Sequence, residues 1–317
     1  MTMSSAASPA DRPESTRHSR PIGTDGLSIP GLDVVIVSYE CAPLLRRCLR
    51  SLQAAPPIGP VQIHVIDNAS LDGSAALVRA EFPEVDLVAS DRNLGFSAGT
   101  NLGIRRGVAP YVLALNPDTE LRPGTLDRLL ELMEERREIG ICGCRLEQED
   151  GSLDHAARRA FPTIVGALGH FSGLGRRTTT AGALSQYRAL EVESGPVDAV
   201  NGAFMLIRRQ ALDEVGLFDE GYWMYMEDLD LCYRFAKAGW TTWYEPSVTA
   251  MHAKAGSSGA IRGLRLNAAF HYGMARFYRA HYAGGRNPLL NGVVYAGIGV
   301  KLAISAVRNA SRRAARR

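Results

Sequence analysis

The fold is decided by the stretch Asp33-Val34-Val35-Ile36-Val37-Ser38-Tyr39. Its continuous apolar run is typical of a central parallel strand that is covered on both faces. A leucine-rich segment with helical spacing follows over residues 43–53, and a second apolar strand is predicted over residues 61–66, ending at Asp67. A strand, a helix and another strand in this order predict a parallel β-α-β unit.

The same alternation continues along the first half of the chain. Further helices are predicted over residues 73–81, 100–107 and 123–137, and further strands over residues 85–89, 111–115 and 140–146. The repeated alternation predicts an α/β protein with a doubly wound, mainly parallel sheet that is flanked by helices. The second half is less regular, and residues 150–190 are rich in Gly, Thr and Arg, which favours mobile loops.

Polar clusters follow three of the predicted strands. They are Ser38-Tyr39, Asp67-Asn68-Ala69-Ser70 and Asn116-Pro117-Asp118. The second cluster is also typical of a tight turn, in which Ser70 or Asp72 would cap the next helix. The third is also typical of an Asn-Pro turn. Because ligands bind at the carboxyl ends of strands in such sheets, three clusters in succession predict a single crevice.

A glycine-containing loop, Arg92-Asn93-Leu94-Gly95-Phe96-Ser97-Ala98-Gly99-Thr100-Asn101, precedes a predicted helix. Backbone amides at such a helix start could face a diphosphate. The alternative is a turn in which Thr100 or Asn101 caps the helix. The loop lacks the glycine spacing of a dinucleotide-binding fold or a Walker loop.

Acidic residues crowd the segment Met226-Glu227-Asp228-Leu229-Asp230. Such crowding is usually a solvated helix start, but the aromatic flanks here favour a general base of raised pKa in a sugar pocket. His252 stands alone and is by default a packed residue, although a neutral imidazole can complete a Mn²⁺ site.

Composition and charge restrict the function classes. The net charge is +3, and six basic residues with no acidic ones lie between Lys301 and the C-terminus, so the rest carries 3 − 6 = −3. That acidic remainder argues against a nucleic-acid binder, while the basic tail suits anionic lipid. Five cysteines without a CxxC pair predict small buried residues in a reducing cytoplasm.

The two ends of the chain differ from its centre. Residues 1–30 have no apolar periodicity or apolar central region, which predicts a disordered segment rather than a secretory signal. Residues 288–307 are mostly apolar but contain Lys301 and three glycines. They favour an interfacial helix over a packed C-terminal helix, and both over a true membrane span.

Together the motifs resemble bacterial family-2 glycosyltransferases of the GT-A fold, and most closely the rhamnosyltransferases that act on N-acetylglucosaminyl-diphospho-decaprenol. The resemblance covers roughly residues 32–260. It is carried by the clusters above and by further motifs, namely Asn201-Gly202-Ala203-Phe204, Gly216-Leu217-Phe218-Asp219-Glu220, Tyr225 to Leu231, Ala238-Gly239-Trp240 and His252. It implies a GT-A domain over residues 31–260. The apolar and basic composition of the remaining chain predicts a helical, membrane-associating segment over residues 261–317.

The resemblance also implies site roles. Asp67 would bind the nucleotide base, and Asp118 would bind a Mn²⁺ or Mg²⁺ ion and the donor diphosphate with His252 as second metal ligand. Asn116 replaces the first acid of the family's Asp-X-Asp motif. Asp228 would be the catalytic base, and Trp223 and Glu227 would lie near the acceptor. The full set expected to bind the nucleotide sugar is Ser38, Tyr39, Asp67, Asn68, Asn93, Gly95, Asn101, Asn116 and Asp118.

The implied activity is metal-dependent, inverting transfer of L-rhamnose from dTDP-L-rhamnose to a lipid-linked glycan acceptor. The enzyme would be cytoplasmic and peripheral on the inner face of the cell membrane. One alternative is a galactofuranosyl or other hexosyl transferase that uses a UDP-sugar. A nucleotidyltransferase would need a Gly-rich, basic loop after the first strand, which residues 37–41 lack. A silent binding module would not need Asp118, Asp228 and His252.

Overall fold

The structure is a computed structural model that describes residues 30–154, 156–162, 193–253 and 263–314. Three predictions fall wholly or mainly outside these ranges. They are the disordered N-terminal segment, the mobile loops beyond residue 162 and the domain boundary at residue 260.

The first half of the sheet consists of parallel strands joined by helices, as predicted. The strands are β1 (Leu32–Ser38), β2 (Val61–Asp67), β3 (Asp86–Ala89) and β4 (Tyr111–Leu115). The connecting helices are α1 (Ala42–Ala54), α2 (Ser74–Glu81) and α3 (Phe96–Ile104). β1 lies between β2 and β4 and is parallel to both, which confirms its central place.

The second half mixes strand directions. Its elements are β5 (Thr119–Leu121), α4 (Thr125–Glu135), β6 (Ile139–Glu147), β7 (Arg158–Arg159), β8 (Gly195–Pro196), β9 (Ala199–Val200), β10 (Phe204–Arg208), α5 (Arg209–Val215), α6 (Glu227–Lys237) and β11 (Thr241–His252). The strand order in the main sheet is β3-β2-β1-β4-β10-β6-β11-β5. β10 is antiparallel to β4 and β6, whereas β6 and β11 are parallel. The mixed, mainly parallel sheet flanked by helices is confirmed.

Apolar side chains fill both faces of the sheet. In β4, Leu113 packs into the cluster that contains α1 and α4, whereas Val112 packs into the opposite cluster with α3 and α6. Both side chains are fully buried. A strand covered on both faces has no solvent side, which explains why the central strands read as continuous apolar runs.

Three predicted boundaries differ from the structure. The helix expected at residues 100–107 begins at Phe96, directly after Gly95. The apolar stretch 197–208 is split into β9 and β10 by a turn at Asn201. The strand expected at residues 240–244 continues to His252, because an irregularity between Glu245 and Thr249 restores its pairing with β6.

Two C-terminal helices complete the fold, α7 (Leu264–His281) and α8 (Pro288–Ala314). α7 buries Phe277 in the core and pairs Arg276 with Asp219 at 2.8 Å. α8 packs on α7 through Val294 and Ile298. Among the described helices, the stretch Pro288–Ser311 is long and apolar enough to cross a membrane by length and composition, and 11% of its apolar window is buried.

Candidate active site

The predicted polar clusters lie at one edge of the sheet. Ser38 stands opposite Asp67 in the parallel register, and the amide of Asn68 donates to the carbonyl of Ser38 at 2.8 Å. Asn116 follows β4 on the other side of β1, and its amide donates to the carbonyl of Ala203 at 3.0 Å. The structure therefore brings the ends of β1, β2 and β4 together, as the sequence predicts.

Hydrogen bonds fix the loops that leave β1 and β2. Asp72 accepts from the amide of Ala42 at 2.7 Å and from the amide of Ser74 at 3.0 Å, so one carboxylate serves the first residues of both α1 and α2. Ser70 accepts from the amide of Glu40 at 3.0 Å. The two bonds of Asp72 satisfy amides that a helix start leaves without partners, whereas the bond of Ser70 fixes the loop before α1.

Asp67 is placed to receive a ligand donor. It is 2% exposed, its Oδ2 accepts from the amide of Ser70 at 3.1 Å, and its buried Oδ1 has no hydrogen-bond partner. A buried acceptor without a partner is costly unless a ligand satisfies it. Ser38 is buried beside Cys41, whereas the next residue, Tyr39, is exposed to solvent.

The amide side chains of Asn68 and Asn93 shape the loop before α3. Asn68 donates to the carbonyl of Gly95 at 3.0 Å and accepts from the amide of Leu94 at 3.3 Å. Asn93 accepts from the amide of Gly95 at 2.9 Å. Both residues thus lie at the predicted site and hold its backbone in place.

Gly95 is in contact with Trp223. Its φ is +86°, and a Cβ there would lie 2.4 Å from the indole. The amide of Phe96 donates to the carbonyl of Trp223 at 2.8 Å, and the guanidinium of Arg265 lies 4.1 Å from the indole ring centre. The expected acceptor residue Trp223 therefore adjoins the expected donor loop.

Asn101 is used inside the protein. Its Nδ2 donates to the carbonyl of Phe218 at 2.8 Å and to Glu220 at 2.9 Å, and its Oδ1 accepts from the amide of Phe218 at 3.0 Å. Both donors of the amide are occupied, so Asn101 supports the segment that precedes Trp223. Neither it nor Thr100 caps α3, because both lie within the helix.

Asp118 and His252 meet at the end of the sheet. His252 Nε2 lies 3.4 Å from Asp118 Oδ1, and His252 Nδ1 lies 3.1 Å from Asp154 Oδ2. Burial lowers the pKa of His252, but the hydrogen bonds and charges of Asp118 and Asp154 outweigh burial and raise it to about 9. In the metal-free protein the imidazole is therefore protonated at neutral pH.

The donor set of this pair fits a divalent cation. Carboxylate oxygen and imidazole nitrogen are ligands that Mn²⁺ accepts, and Mg²⁺ is commonly held by one or two carboxylates with substrate phosphates. Within the described ranges no group of three or more His, Cys, Asp or Glu side chains could hold a metal. Asp118 and His252 would therefore need oxygen atoms of the nucleotide-sugar diphosphate to complete the coordination of the cation.

Asp228 is joined to the same edge through a short turn. Its Oδ2 accepts from Arg159 Nη2 at 2.5 Å and from the amide of Gly202 at 2.9 Å. The next residue, Ala203, accepts from the amide of Asn116 as described above. Asp228 therefore lies one backbone turn away from the loop that carries Asp118.

Sequence reasoning missed Asp154 and Arg159. These two residues contact predicted site residues, because Asp154 bonds His252 and Arg159 bonds Asp228. The position of Arg159 is set by β7, which pairs with β9. The adjacent pair Arg158-Arg159 was the only local signal, and it does not indicate a partner 69 residues away.

The remaining acids of the cluster have different surroundings. Asp230 is paired with Arg234 at 2.8 Å and His281 at 2.7 Å, and these partners lower its pKa although burial raises it. Glu227 Oε2 is buried without a hydrogen-bond partner, and burial together with the charge of Asp228 raises the pKa of Glu227 to about 8. The raised pKa expected for this cluster belongs to Glu227.

Comparison with known proteins gives the class. The sequence model of glycosyl transferase family 2 matches residues 33–216. The chain is also 37% identical over 240 residues to the N-acetylglucosaminyl-diphospho-decaprenol L-rhamnosyltransferase of Mycobacterium tuberculosis, covering 72% of this chain and 78% of that one. The chain belongs to glycosyl transferase family 2.

Two further glycosyltransferases are similar to this chain. Rhamnosyltransferase WbbL of Escherichia coli is 34% identical over 142 residues, which is 45% of this chain and 52% of WbbL. The mannosyltransferase PcManGT of Pyrobaculum calidifontis, solved in complex with GDP-Man and Mn²⁺, is 16% identical with a TM-score of 0.56, covering 94% of this chain and 83% of that one. The fold is the GT-A fold of these glycosyltransferases.

Proposed function

We propose that this chain is a metal-dependent, inverting glycosyltransferase that transfers L-rhamnose from dTDP-L-rhamnose to a sugar linked to a polyprenyl diphosphate. The observation that carries the proposal is the pairing of Asp118 with His252 at 3.4 Å, one backbone turn from the carboxylate of Asp228. The similarity to the mycobacterial rhamnosyltransferase supports the choice of sugar and acceptor.

Donor binding is assigned to the edge formed by β1, β2 and β4. The unpartnered Oδ1 of Asp67 is an acceptor for the N3–H group of a thymine. Uracil carries the same group, so this contact also suits the alternative of a hexosyl transferase that uses a UDP-sugar. Asp118 and His252 would hold Mn²⁺ or Mg²⁺, which supplies positive charge at the leaving diphosphate.

Asp228 is assigned as the base that takes the proton of the acceptor hydroxyl. Arg159 and the amide of Gly202 hold its Oδ2, which fixes the carboxylate in one orientation. Glu227, with a pKa of about 8, keeps its proton at neutral pH. Glu227 therefore suits a hydrogen bond to the acceptor rather than proton abstraction.

The C-terminal helices are assigned to the membrane surface. α8 exposes apolar side chains, including Leu289, Val300 and Val307, and five arginines lie between residue 308 in its last turns and the C-terminus. An apolar face beside basic residues suits the interface of an anionic bilayer. Such a placement on the inner face of the cell membrane would bring a lipid-linked acceptor to the protein.

The test is a transfer assay with a panel of donors. We expect L-rhamnose transfer from dTDP-L-rhamnose to N-acetylglucosaminyl-diphospho-polyprenol in the presence of Mn²⁺, and loss of transfer with EDTA. Transfer from a UDP-sugar alone would favour the hexosyl alternative. Neither transfer nor donor hydrolysis with any donor would indicate a binding module.

A further inference from the structure

We infer that Asp154 is a positioning residue for metal binding, because its carboxylate orients the ring of His252 so that Nε2 faces Asp118 and the cation. The inference rests on the metal site proposed above. It adds a residue to which the sequence analysis gave no role and which would act on the cation only through His252.

Hydrogen bonds to its side chain and to its backbone hold Asp154 in place. Its side chain is fully buried, its Oδ2 lies 3.1 Å from His252 Nδ1, and its Oδ1 accepts from the amide of Ala156 at 2.9 Å. Its own amide donates to the carbonyl of Leu146 at 2.8 Å. Leu146 is paired in register with Ala250, so neighbouring strands set the separation of Asp154 and His252.

The chemistry explains why a buried carboxylate is placed there. A fully buried carboxylate is costly unless it is paired. The two nitrogens of an imidazole are linked, because an Nδ1–H that donates to a carboxylate leaves the lone pair of Nε2 for a metal. Ligand histidines are usually oriented by such a partner, and its loss lowers metal affinity about 10–100-fold.

Asp154→Asn separates this role from packing. Asparagine retains the Oδ1 that accepts from Ala156, but its Nδ2 can only donate to His252 Nδ1. The imidazole proton is then forced onto Nε2, where it occupies the lone pair that a metal needs. Asp154→Ser, whose hydroxyl can still serve the turn, removes the contact with His252 without placing a donor there.

The matched control is Asp150→Asn. Asp150 is an exposed carboxylate in the same loop and accepts from Ser152. Mn²⁺ binding to the full chain is measured by electron paramagnetic resonance with dTDP present, and thermal melts without metal compare folding. We expect Asp154→Asn to weaken Mn²⁺ binding about 10–100-fold, Asp154→Ser to weaken it less, and Asp150→Asn to leave it unchanged.

His252→Ala provides the second arm. If Asp154 acts through His252, then Asp154→Asn has no further effect on Mn²⁺ affinity in the His252→Ala background. An equal loss in that background, or wild-type affinity in folded Asp154→Asn and Asp154→Ser proteins, would overturn the inference alone. Absence of Mn²⁺ binding to the wild-type chain would overturn the proposed metal site and the inference with it.

Discussion

Glu227 and Asp228 are adjacent carboxylates with opposite surroundings. Asp228 is held by a guanidinium and a backbone amide, whereas Glu227 Oε2 is buried without a partner. Neighbouring carboxylates in different environments can take different chemical roles. These surroundings support the proposed roles, with Asp228 as the base and Glu227 as a neutral contact for the acceptor.

The two roles predict unequal variants. Asp228→Asn should lower kcat about 10²–10⁴-fold, because the amide cannot accept the proton. Glu227→Gln should lower it by less than about tenfold, since a neutral amide retains hydrogen bonding. Single-turnover transfer with bound donor measures both. A larger loss in Glu227→Gln than in Asp228→Asn would reverse the assignment.

Glu227 also predicts a pH dependence of stability. Its pKa is about 8 in the folded protein against an ordinary value of 4.5, so the folded state binds the proton more tightly. The free energy of unfolding should therefore contain a contribution that is present below pH 4.5 and is lost as the pH rises through about 8.

Urea denaturation of Glu227→Gln should show that this decline is absent, so the variant gains stability relative to wild type as the pH rises. The control is Glu131→Gln, at an exposed carboxylate on α4. A constant difference between Glu227→Gln and wild type across the pH range would show that Glu227 titrates normally.

The sequence predicted the functional residues that belong to motifs better than it predicted the residues that contact them. Asp118 and Asp228 were found because each belongs to a short motif, and His252 because it completes that set. Asp154 and Arg159 carry no motif, and their contacts join residues 98 and 69 positions apart. Only the tertiary structure brings such pairs together.

Two helices, α2 and α3, are each preceded by a glycine of positive φ. Gly73 precedes α2 with φ +89°, and a Cβ there would meet nothing within 4 Å. Gly95 precedes α3 with φ +86° and ψ −179°, against Trp223. A side chain at Gly73 would meet backbone strain alone, whereas one at Gly95 would meet backbone strain and a close contact.

Gly73→Ala should lower the free energy of unfolding by about 1–2 kcal/mol, the cost of a left-handed residue. Gly95→Ala should cost about 3 kcal/mol or more, because its backbone region is essentially confined to glycine and its Cβ displaces Trp223. Equilibrium denaturation measures both. Equal losses would contradict the close contact between the donor loop and Trp223.

The central parallel strands β1 and β4 were predicted well, since each is buried on both faces and reads as an apolar run. The reversed direction of β10 was not predictable, because the apolar pattern of a buried strand carries no information on direction. The start of α3 was misplaced because no Ser, Thr, Asp or Asn caps it, and Gly95 begins the helix through its backbone conformation.

At the scale of the molecule, α7 joins the site to α8. Its Arg265 stacks on Trp223 and its Phe270 contacts Tyr225, while its Tyr278 packs with Val294 and Ile298 of α8. A surface bound through α8 would thus lie beside the residues assigned to the acceptor.

Vesicle flotation tests that arrangement. The full chain should float with vesicles that contain anionic lipid, and a chain ending before Pro288 should not. Replacing the exposed Leu289, Val293, Val300 and Ile304 with serine should reduce flotation with the helix retained, because it removes apolar area. Equal flotation of all three proteins would rule out α8 as the membrane contact.

Asp118, His252 and Asp228 are proposed to serve one cavity. A crystal structure with dTDP and Mn²⁺ would show whether they do, through the anomalous signal of manganese. We expect manganese bound between Asp118 and His252 Nε2, the thymine against Asp67, and Asp228 facing the end of the diphosphate. Manganese away from this pair, or dTDP bound on another face, would contradict this proposal.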